Sequence, residues 1–334
     1  MPPGPAGLLQ NTPDRHVKEE SRLEMLAKLQ DIRKNIARIL VGRQDTIDLL
    51  MIALLCQGHV LIEDVPGVGK TTLAQAFARS LDLSFRRIQF TPDVLPSDIT
   101  GYNLYQFDQQ EMVFRPGAIM SQIILADEIN RSSPKTQSSL LEVMEERQVT
   151  VDGVTRPVPQ PFMVLATQNP IEFAGTFPLP EAQLDRFLIR LRIGYPSHQE
   201  ELSILQRHLD PPRWQDLEPV LSPSELLELQ EQSAQVKVAG PVIEYIARIA
   251  EKTRSHESIA LGISPRGSIA LMRAARAKAV LAGRDFVLPD DVQQLVLPVL
   301  LHRIVLRPEA ALSSQAAERL LQDMVRVMPV PAVT

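Results

Sequence analysis

A short apolar strand that runs into a glycine-bearing loop and then a helix is the feature that most constrains this chain. The segment reads His59-Val-Leu-Ile-Glu-Asp-Val-Pro-Gly-Val-Gly-Lys-Thr-Thr72. Gly67 and Gly69 let the backbone bend so that consecutive N–H groups point inward at a phosphate, and the positive end of the following helix adds its dipole. The segment therefore predicts a polyphosphate-binding loop.

Each position of this loop has an expected role. Lys70 should reach the β- and γ-phosphates, and Thr71 should place its hydroxyl on Mg²⁺. Asp64 stands where the usual pattern begins with Gly, and its carboxylate would repel phosphate, so we expect it to point away from the loop. An ordinary glycine-rich turn is the alternative. The remaining residues of the predicted phosphate cradle are Pro66, Gly67, Val68, Gly69 and Thr72.

Acidic and amide residues follow two further predicted strands. The run from Ile123 to Asp127 and Glu128 is apolar enough to be buried on both faces. After a phosphate-binding loop, Asp127 is expected to hold the Mg²⁺ shell and Glu128 to orient and deprotonate an attacking water. Asn169 follows the predicted strand 162–167, where its carboxamide could contact the γ-phosphate or the water. A plain Asn-Pro turn is the alternative reading of Asn169.

Composition excludes several other classes of protein. The 334-residue chain has a formal charge of -5 and a pI near 5.8, which argues against coating nucleic acid by bulk electrostatics. With Cys56 as the only cysteine and no zinc-like histidine spacing, neither disulfides nor a zinc site is expected. The apolar run 49–56 is too short to span a bilayer, and the N-terminus resembles no secretion signal. We therefore expect a cytoplasmic protein.

The order of predicted elements indicates two domains. Residues 1–21 are expected to form a flexible tail, 22–195 an α/β domain, and 196–334 a connector and an all-helical domain. Ser197 with Glu200 and Ser222 with Glu225 form capping boxes that start helices in the second part. The predicted fold class is a three-layer α/β/α sandwich with a central parallel sheet, followed by a helical domain. Asp152-Gly153 predicts a hairpin turn within 148–158.

Taken together, these motifs resemble the AAA+ ATPases, and among them the MoxR family, over nearly all of residues 22–334. The loop ending in Lys70-Thr71 looks like Walker A, and Ile123 to Arg131 looks like Walker B. Ala166-Thr-Gln-Asn169-Pro is similar to sensor 1 and Gly262-Ile-Ser-Pro-Arg266 to sensor 2. The segment 89–101 resembles a hallmark that leads into the helix-2 insert, about 91–118, and the hairpin before sensor 1 spans about 147–160. Leu179 to Phe187 looks like the segment that carries an arginine finger.

The resemblance implies ATP and Mg²⁺ as cofactors, hydrolysis of ATP to ADP and phosphate, and a homo-oligomeric ring, as a hexamer. It places adenine near Val41 and Gly42. It also implies chaperone-like remodelling, activation or assembly of a protein client, with a von Willebrand factor A domain protein as a possible partner.

Two arginines complete the predicted site. Arg266 is expected in the first turn of a lid helix, where it can face the γ-phosphate and couple the lid to nucleotide state. Arg186 precedes the last strand of the α/β domain and cannot easily return to its own phosphate loop, so it is free to serve a neighbouring subunit. Surface salt bridges are the alternative for both. Two other functions stay open at this point: a DNA-remodelling motor and the ATPase subunit of a metal chelatase.

Overall fold

A computed structural model describes residues 13–108, 110–169, 175–209, 214–311, 313 and 315–331. The helices within these ranges are α1 (Pro13–Ile39), α2 (Gln44–Leu55), α3 (Lys70–Ser80), α4 (Pro96–Thr100), α5 (Pro134–Glu146), α6 (Glu181–Leu184), α7 (His198–Leu209), α8 (Pro223–Gln235), α9 (Gly240–Ser255), α10 (Pro265–Leu281), α11 (Pro289–Leu300) and α12 (Ala316–Arg326). The strands are β1 (Val60–Glu63), β2 (Phe85–Gln89), β3 (Gly101–Gln106), β4 (Glu111–Pro116), β5 (Ile123–Asp127), β6 (Gln148–Val151), β7 (Val154–Pro157), β8 (Met163–Gln168), β9 (Ile189–Leu191), β10 (Ile259–Leu261) and β11 (Val305–Leu306).

Five parallel strands form the central sheet in the order β2-β5-β8-β1-β9. Since parallel strands share one direction, the carboxyl ends of all five meet at one edge, which we call the nucleotide edge. The amino-terminal ends form the opposite edge. The loop after β1, the acidic end of β5 and the residue after β8 all lie at the nucleotide edge, so the topology brings the predicted site residues together.

Alternating strand residues pack into two separate cores, one on each face of the sheet. Val60, Ile62 and Leu125 pack with α1, α2, α3 and the C-terminal helices, whereas Leu61 and Ile124 pack with α5. Burial on both faces explains why these strands read as continuous apolar runs. The predicted three-layer α/β/α sandwich with a parallel sheet is confirmed.

Two hairpins decorate the sandwich. The first, β3 with β4, follows α4 within the predicted insert, and the second, β6 with β7, turns at Asp152-Gly153 as predicted. The hairpins contact each other: Asn103 Nδ2 donates to Asp152 Oδ2 at 2.7 Å, and the Arg156 guanidinium lies 4.1 Å from the ring centre of Phe114.

Several element boundaries differ from the sequence expectation. The tail was expected to reach residue 21, but α1 already begins at Pro13, and residues 1–12 lie outside the described ranges. The second part is mainly helical as predicted, with one short antiparallel pairing of β10 and β11 that the sequence did not indicate. Within the described ranges, no helix has both the length and the apolar character that crossing a membrane requires.

Candidate nucleotide and arginine sites

The predicted phosphate loop connects β1 to α3 and adopts the backbone that its glycines allow. Gly67 and Gly69 have φ of 85° and 89°, in the left-handed region that other residues rarely adopt. An added Cβ on Gly67 would meet nothing within 4 Å, so its backbone conformation is what favours glycine there. Pro66 is exposed, Val68 packs partly on the core, and Thr71 and Thr72 lie in the first turn of α3.

Asp64 points away from the loop, as predicted. Its side chain is buried, with one carboxylate oxygen accepting from the backbone N–H groups of Ile193 and Gly194 at 2.5 and 2.6 Å. The other oxygen accepts from the N–H of Val65 at 2.8 Å. These three donors hold the carboxylate against the segment after β9 and the backbone of Val65.

Lys70 lies among acidic groups at the nucleotide edge. Its Nζ donates to the backbone carbonyl of Asp64 at 2.8 Å. Burial lowers the pKa of Lys70, and the charges of Asp127, Asp64 and Glu128 oppose that shift. The structure thus brings the lysine after the loop within electrostatic range of both acids at the end of β5.

The two acids have distinct surroundings. Asp127 is buried, and one of its oxygens accepts from the Thr167 hydroxyl at 2.6 Å. Glu128 has φ of 57°, and its backbone N–H donates to the same Thr167 hydroxyl at 2.8 Å. A left-handed backbone is uncommon in residues other than glycine, and the cases that occur cluster at functional sites. The side chain of Glu128 contacts Gln89 Nε2 at 2.9 Å and Arg131 Nη1 at 3.1 Å.

Three residues at this edge were not predicted from the sequence: Arg87, Gln89 and Thr167. Arg87, on β2, donates from Nε and Nη2 to one oxygen of Asp127 at 3.1 and 2.6 Å. Finding these contacts requires knowing that β2 and β8 both flank β5. The available signals were that Thr167 ends the predicted strand 162–167, within the segment similar to sensor 1, and that Gln89 begins the segment 89–101.

The residues present fit a Mg²⁺ ion that is held mainly by nucleotide phosphates. Mg²⁺ usually keeps several waters and takes one or two protein ligands beside the substrate phosphates. Thr71 and Asp127 are a hydroxyl and a carboxylate of the kind that ion prefers. Among the described residues, no group of three or more His, Cys, Asp or Glu side chains is arranged to hold a metal ion.

Asn169 is buried and follows β8, between the strands that carry the phosphate loop and the acids. At the side of the loop, Val41 and Gly42 are half-buried between α1 and α2. Gly42 has φ of 71°, and a Cβ there would come within 1.9 Å of Glu200 Oε1 on α7. The left-handed backbone is what favours glycine at this position, since the atoms that a Cβ would meet belong to the flexible Glu200 side chain.

Arg186 and Arg266 share one carboxylate. Glu145, near the end of α5, lies 3.2 Å from Arg186 Nε and 3.1 Å from Arg266 Nη2. The neighbouring Met144 carbonyl pairs with His59 Nε2, and His59 directly precedes β1. The arginine pair is therefore at the opposite edge of the sheet from Lys70.

This placement corrects one expectation. Arg266 does lie in the first turn of α10, but it does not face the phosphate loop of its own chain. The reason is that the C-terminal helices dock against α2 and β9 near the start of the sheet strands: Arg273 donates to the Cys56 carbonyl, and His302 Nε2 pairs with the Phe187 carbonyl at 2.9 Å.

A buried ion pair fixes the segment that carries Arg186. Arg303 Nε donates to Asp185 at 2.6 Å, and its Nη2 donates to the Phe187 carbonyl at 2.6 Å. Burial lowers the pKa of Arg303, and Asp185 opposes the shift. Ser264, the N-cap of α10, also donates to Asp185 at 3.3 Å. The two domains thus hold Arg186 and Arg266 as one cluster.

A parallel sheet with a phosphate loop after β1, acids after the neighbouring β5 and a helical domain define an AAA-type ATPase. Residues 59–189 match the "ATPase family associated with various cellular activities (AAA)", and residues 251–324 match the "AAA lid domain". A crystal structure described as a "putative ATPase" from Cytophaga hutchinsonii superposes with a TM-score of 0.88 at 35% identity, covering 96% of this chain and 99% of that one.

Proteins with similar sequences indicate which family of AAA-type ATPases the chain resembles. "Uncharacterized protein YeaC" of Bacillus subtilis is 52% identical, over 89% of this chain and 93% of the relative. "Chaperone MoxR1" of Mycobacterium tuberculosis is 42% identical, over 89% and 81%. "Protein MoxR" of Paracoccus denitrificans is 32% identical, over 92% and 97%. The chain belongs to the MoxR family of AAA+ ATPases.

Proposed function

We propose that this ATPase hydrolyses Mg²⁺-bound ATP at the nucleotide edge and uses the energy to remodel a protein client. The observation that carries the proposal is the placement of Lys70, Asp127 and Glu128 together at the nucleotide edge, after the neighbouring strands of the sheet. Lys70 and the loop N–H groups bind phosphate, Thr71 and Asp127 hold Mg²⁺, and Val41 and Gly42 contact adenine. Bound Mg²⁺ would neutralise charge on the phosphates.

Glu128 is proposed as the base that orients and deprotonates the attacking water, with Asn169 placed to contact the water or the γ-phosphate. Gln89 and Arg131 hold the Glu128 carboxylate, and Thr167 holds its backbone N–H. This support matters because a general base must be positioned within hydrogen-bond reach of the proton that it takes.

The positions of Arg186 and Arg266 support a ring. Since both lie at the opposite edge from Lys70, the γ-phosphate that they could reach is the one bound by a neighbouring subunit. Arg186 would act as the finger that stabilises the charge developing in transfer, with Arg266 beside it. A hexamer is the ring size that the family resemblance suggests.

Exposed apolar residues favour a protein client over DNA. At the free end of the β3–β4 hairpin, Phe107 is 84% exposed and Met112 58%. Exposed apolar patches of this kind mark interaction sites. The single arginine within 148–158, Arg156, stacks on Phe114. That the client pathway includes a von Willebrand factor A domain protein, and that the ATPase works in the cytoplasm, are proposals that rest on the resemblance and on the sequence.

Two variants test the site. Lys70→Ala should weaken ATP binding, because the lysine contacts the phosphates before reaction. Glu128→Gln should bind ATP normally and lose about 10²- to 10⁴-fold in hydrolysis rate, the usual contribution of a positioned base. Fluorescent-nucleotide titration and phosphate release measure the two effects. Glu142→Gln, an exposed carboxylate on α5, is the control and should behave as wild type. Wild-type turnover in both site variants would refute the assignment.

A further inference from the structure

The pair Ile193-Gly194, which we call the turn, lies in the connection from β9 to α7 at the nucleotide edge. Both of its N–H groups donate to the same carboxylate oxygen of Asp64, the first residue of the phosphate loop. Both of its carbonyls accept from Arg43, at 2.6 Å from Nη1 and 2.9 Å from Nη2. Two side chains of opposite charge therefore take all four backbone polar groups of the turn.

Each of these side chains belongs to a segment of the proposed nucleotide site. Arg43 follows Val41 and Gly42, the segment proposed to contact adenine, and it precedes α2. It has φ of 74°, and such a backbone in a non-glycine residue is strained. Its two charge-assisted hydrogen bonds to Ile193 and Gly194 offset that strain. The turn is thus bonded to the adenine side and the phosphate side of the site at once.

Lys70 links the same turn to phosphate binding. Its Nζ donates to the carbonyl of Asp64, whose side chain holds Ile193 and Gly194. The lysine ammonium has three N–H donors, so it can keep that hydrogen bond while the other two contact a phosphate. A bound phosphate would then restrain the lysine and, through this bond, Asp64, whose side chain contacts the turn.

We propose that Asp64 and Arg43 are positioning residues that transmit nucleotide occupancy from the phosphate loop to the Ile193-Gly194 turn and the first turn of α7. The inference rests on the proposed function, since it assumes that a nucleotide occupies this loop. It gives Asp64 a role that a glycine at the first position of the loop could not perform, because glycine has no carboxylate to accept the two N–H groups.

The chemistry of the turn requires a carboxylate. Three N–H groups, from Val65, Ile193 and Gly194, converge on the two oxygens of Asp64. Asparagine has one oxygen and one NH₂ group, so in either orientation at least one N–H would face another donor. Asp64→Asn keeps the size of the side chain and its place in the fold while breaking this pattern.

Hydrogen exchange of the peptide covering residues 192–200 tests the proposal, measured by mass spectrometry without nucleotide and with saturating Mg-ADP. In the wild type, Mg-ADP should change the rate of amide hydrogen exchange in this peptide by about tenfold or more. A change of this size lies within the range that local opening of a protein segment produces. Asp64→Asn should still bind ADP, because the loop N–H groups and Lys70 remain. Its peptide should exchange about tenfold faster, as expected for loss of a charge-assisted hydrogen bond, and should no longer respond to ADP.

Two more variants make the test independent of whether Asp64→Asn folds. Arg43→Lys retains the positive charge but lacks the planar guanidinium that donates to both carbonyls. Its peptide should lose most of the response to ADP. Glu63→Gln is the matched control, because Glu63 adjoins Asp64 but pairs with Arg190 at 3.2 Å; it should respond as wild type. A wild-type protein that binds no ADP would refute the proposed function. A wild type that binds ADP without a change in this peptide, or Asp64→Asn and Arg43→Lys proteins that respond normally, would overturn this inference alone.

Discussion

At the scale of single residues, the sequence predicted the chemical behaviour of a side chain better than it predicted which residues that side chain contacts. The expected orientation of Asp64 is confirmed because repulsion between a carboxylate and phosphate is a local rule. Two of its three partners, Ile193 and Gly194, are far along the chain and become neighbours only because β9 pairs with β1. Arg87 was missed for the same reason, since its contact with Asp127 depends on β2 lying beside β5.

The contact between Arg87 and Asp127 leads to a prediction about Mg²⁺. Arg87 donates twice to an oxygen of a proposed Mg²⁺ residue, so its charge opposes a cation there. Arg87→Gln should lower the Mg²⁺ concentration needed for half-maximal hydrolysis by up to about fivefold, because a partly exposed ion pair contributes about 1 kcal/mol or less. Titration of the hydrolysis rate with Mg²⁺ at fixed ATP measures this change.

Arg86→Gln is the matched control for Arg87, because Arg86 is the exposed neighbour on the same strand. Its Mg²⁺ dependence should equal that of the wild type. An Arg87→Gln protein that needs as much Mg²⁺ as the wild type would show that this contact does not oppose metal binding.

At the scale of elements, apolar runs predicted the buried strands well, and capping chemistry predicted helix starts. Ser222 with Glu225 caps α8, as expected, and Ser133 caps α5. The last strand of the sheet follows Arg186 as expected, but β9 is short and spans only Ile189–Leu191. Side chains bind the backbone groups on either side of it: Arg303 and His302 bind the Phe187 carbonyl, and Asp64 binds the Ile193 N–H.

Two buried histidines join elements and predict a pH dependence of stability. Burial lowers the pKa of His59 from 6.5 to about 4, and burial with the nearby Arg303 charge lowers that of His302. A lowered pKa in the native state means that the unfolded state binds protons first as pH falls below 6.5. From pH 7.5 to pH 5.5, each histidine should reduce the free energy of unfolding by about 1.4 kcal/mol. Urea unfolding at both pH values tests this.

His198→Gln serves as the control for the pH effect, because His198 is exposed. In that variant, the free energy of unfolding should fall between pH 7.5 and pH 5.5 as much as it does in the wild type. In His59→Gln the fall should be smaller by the contribution of one histidine, about 1.4 kcal/mol. Equal free energies of unfolding in the wild type at pH 7.5 and 5.5 would contradict the prediction.

At the scale of the whole molecule, the sequence predicted two domains but not how they dock. Arg266 lies in the first turn of the helix, as predicted, but it pairs with Glu145 and does not face the phosphate loop of its own chain. Its position depends on the packing of α10 against α2. No local pattern specifies such packing. The same docking places Cys56 beneath the C-terminal helices, where Arg273 donates to its carbonyl.

The buried cysteine predicts a labelling experiment that reports on docking. Burial raises the pKa of Cys56 to about 12, so the native thiol should be both inaccessible and uncharged at pH 8. Arg273→Ala should speed its reaction with a thiol reagent by about tenfold or more, the effect expected for loss of a charged hydrogen bond. Arg276→Ala is the control, since Arg276 bonds to Ala234 within the C-terminal part. Rapid labelling of the native wild type would contradict the docked arrangement.

We propose that each active site needs an arginine from a neighbouring subunit, and mixing two inactive variants tests this dependence most directly. Arg186→Ala should bind ATP but lose about 10³- to 10⁵-fold in hydrolysis, whereas Lys70→Ala has a defective loop and an intact finger. Arg192→Ala, which removes a surface arginine 3.9 Å from Glu318, should hydrolyse ATP as the wild type does. Because mixed rings contain junctions in which the loop and the finger are both intact, hydrolysis should reappear on mixing. A mixture that stays inactive at every ratio while labelled subunits exchange, or an Arg186→Ala protein that hydrolyses ATP as a monomer, would contradict the account.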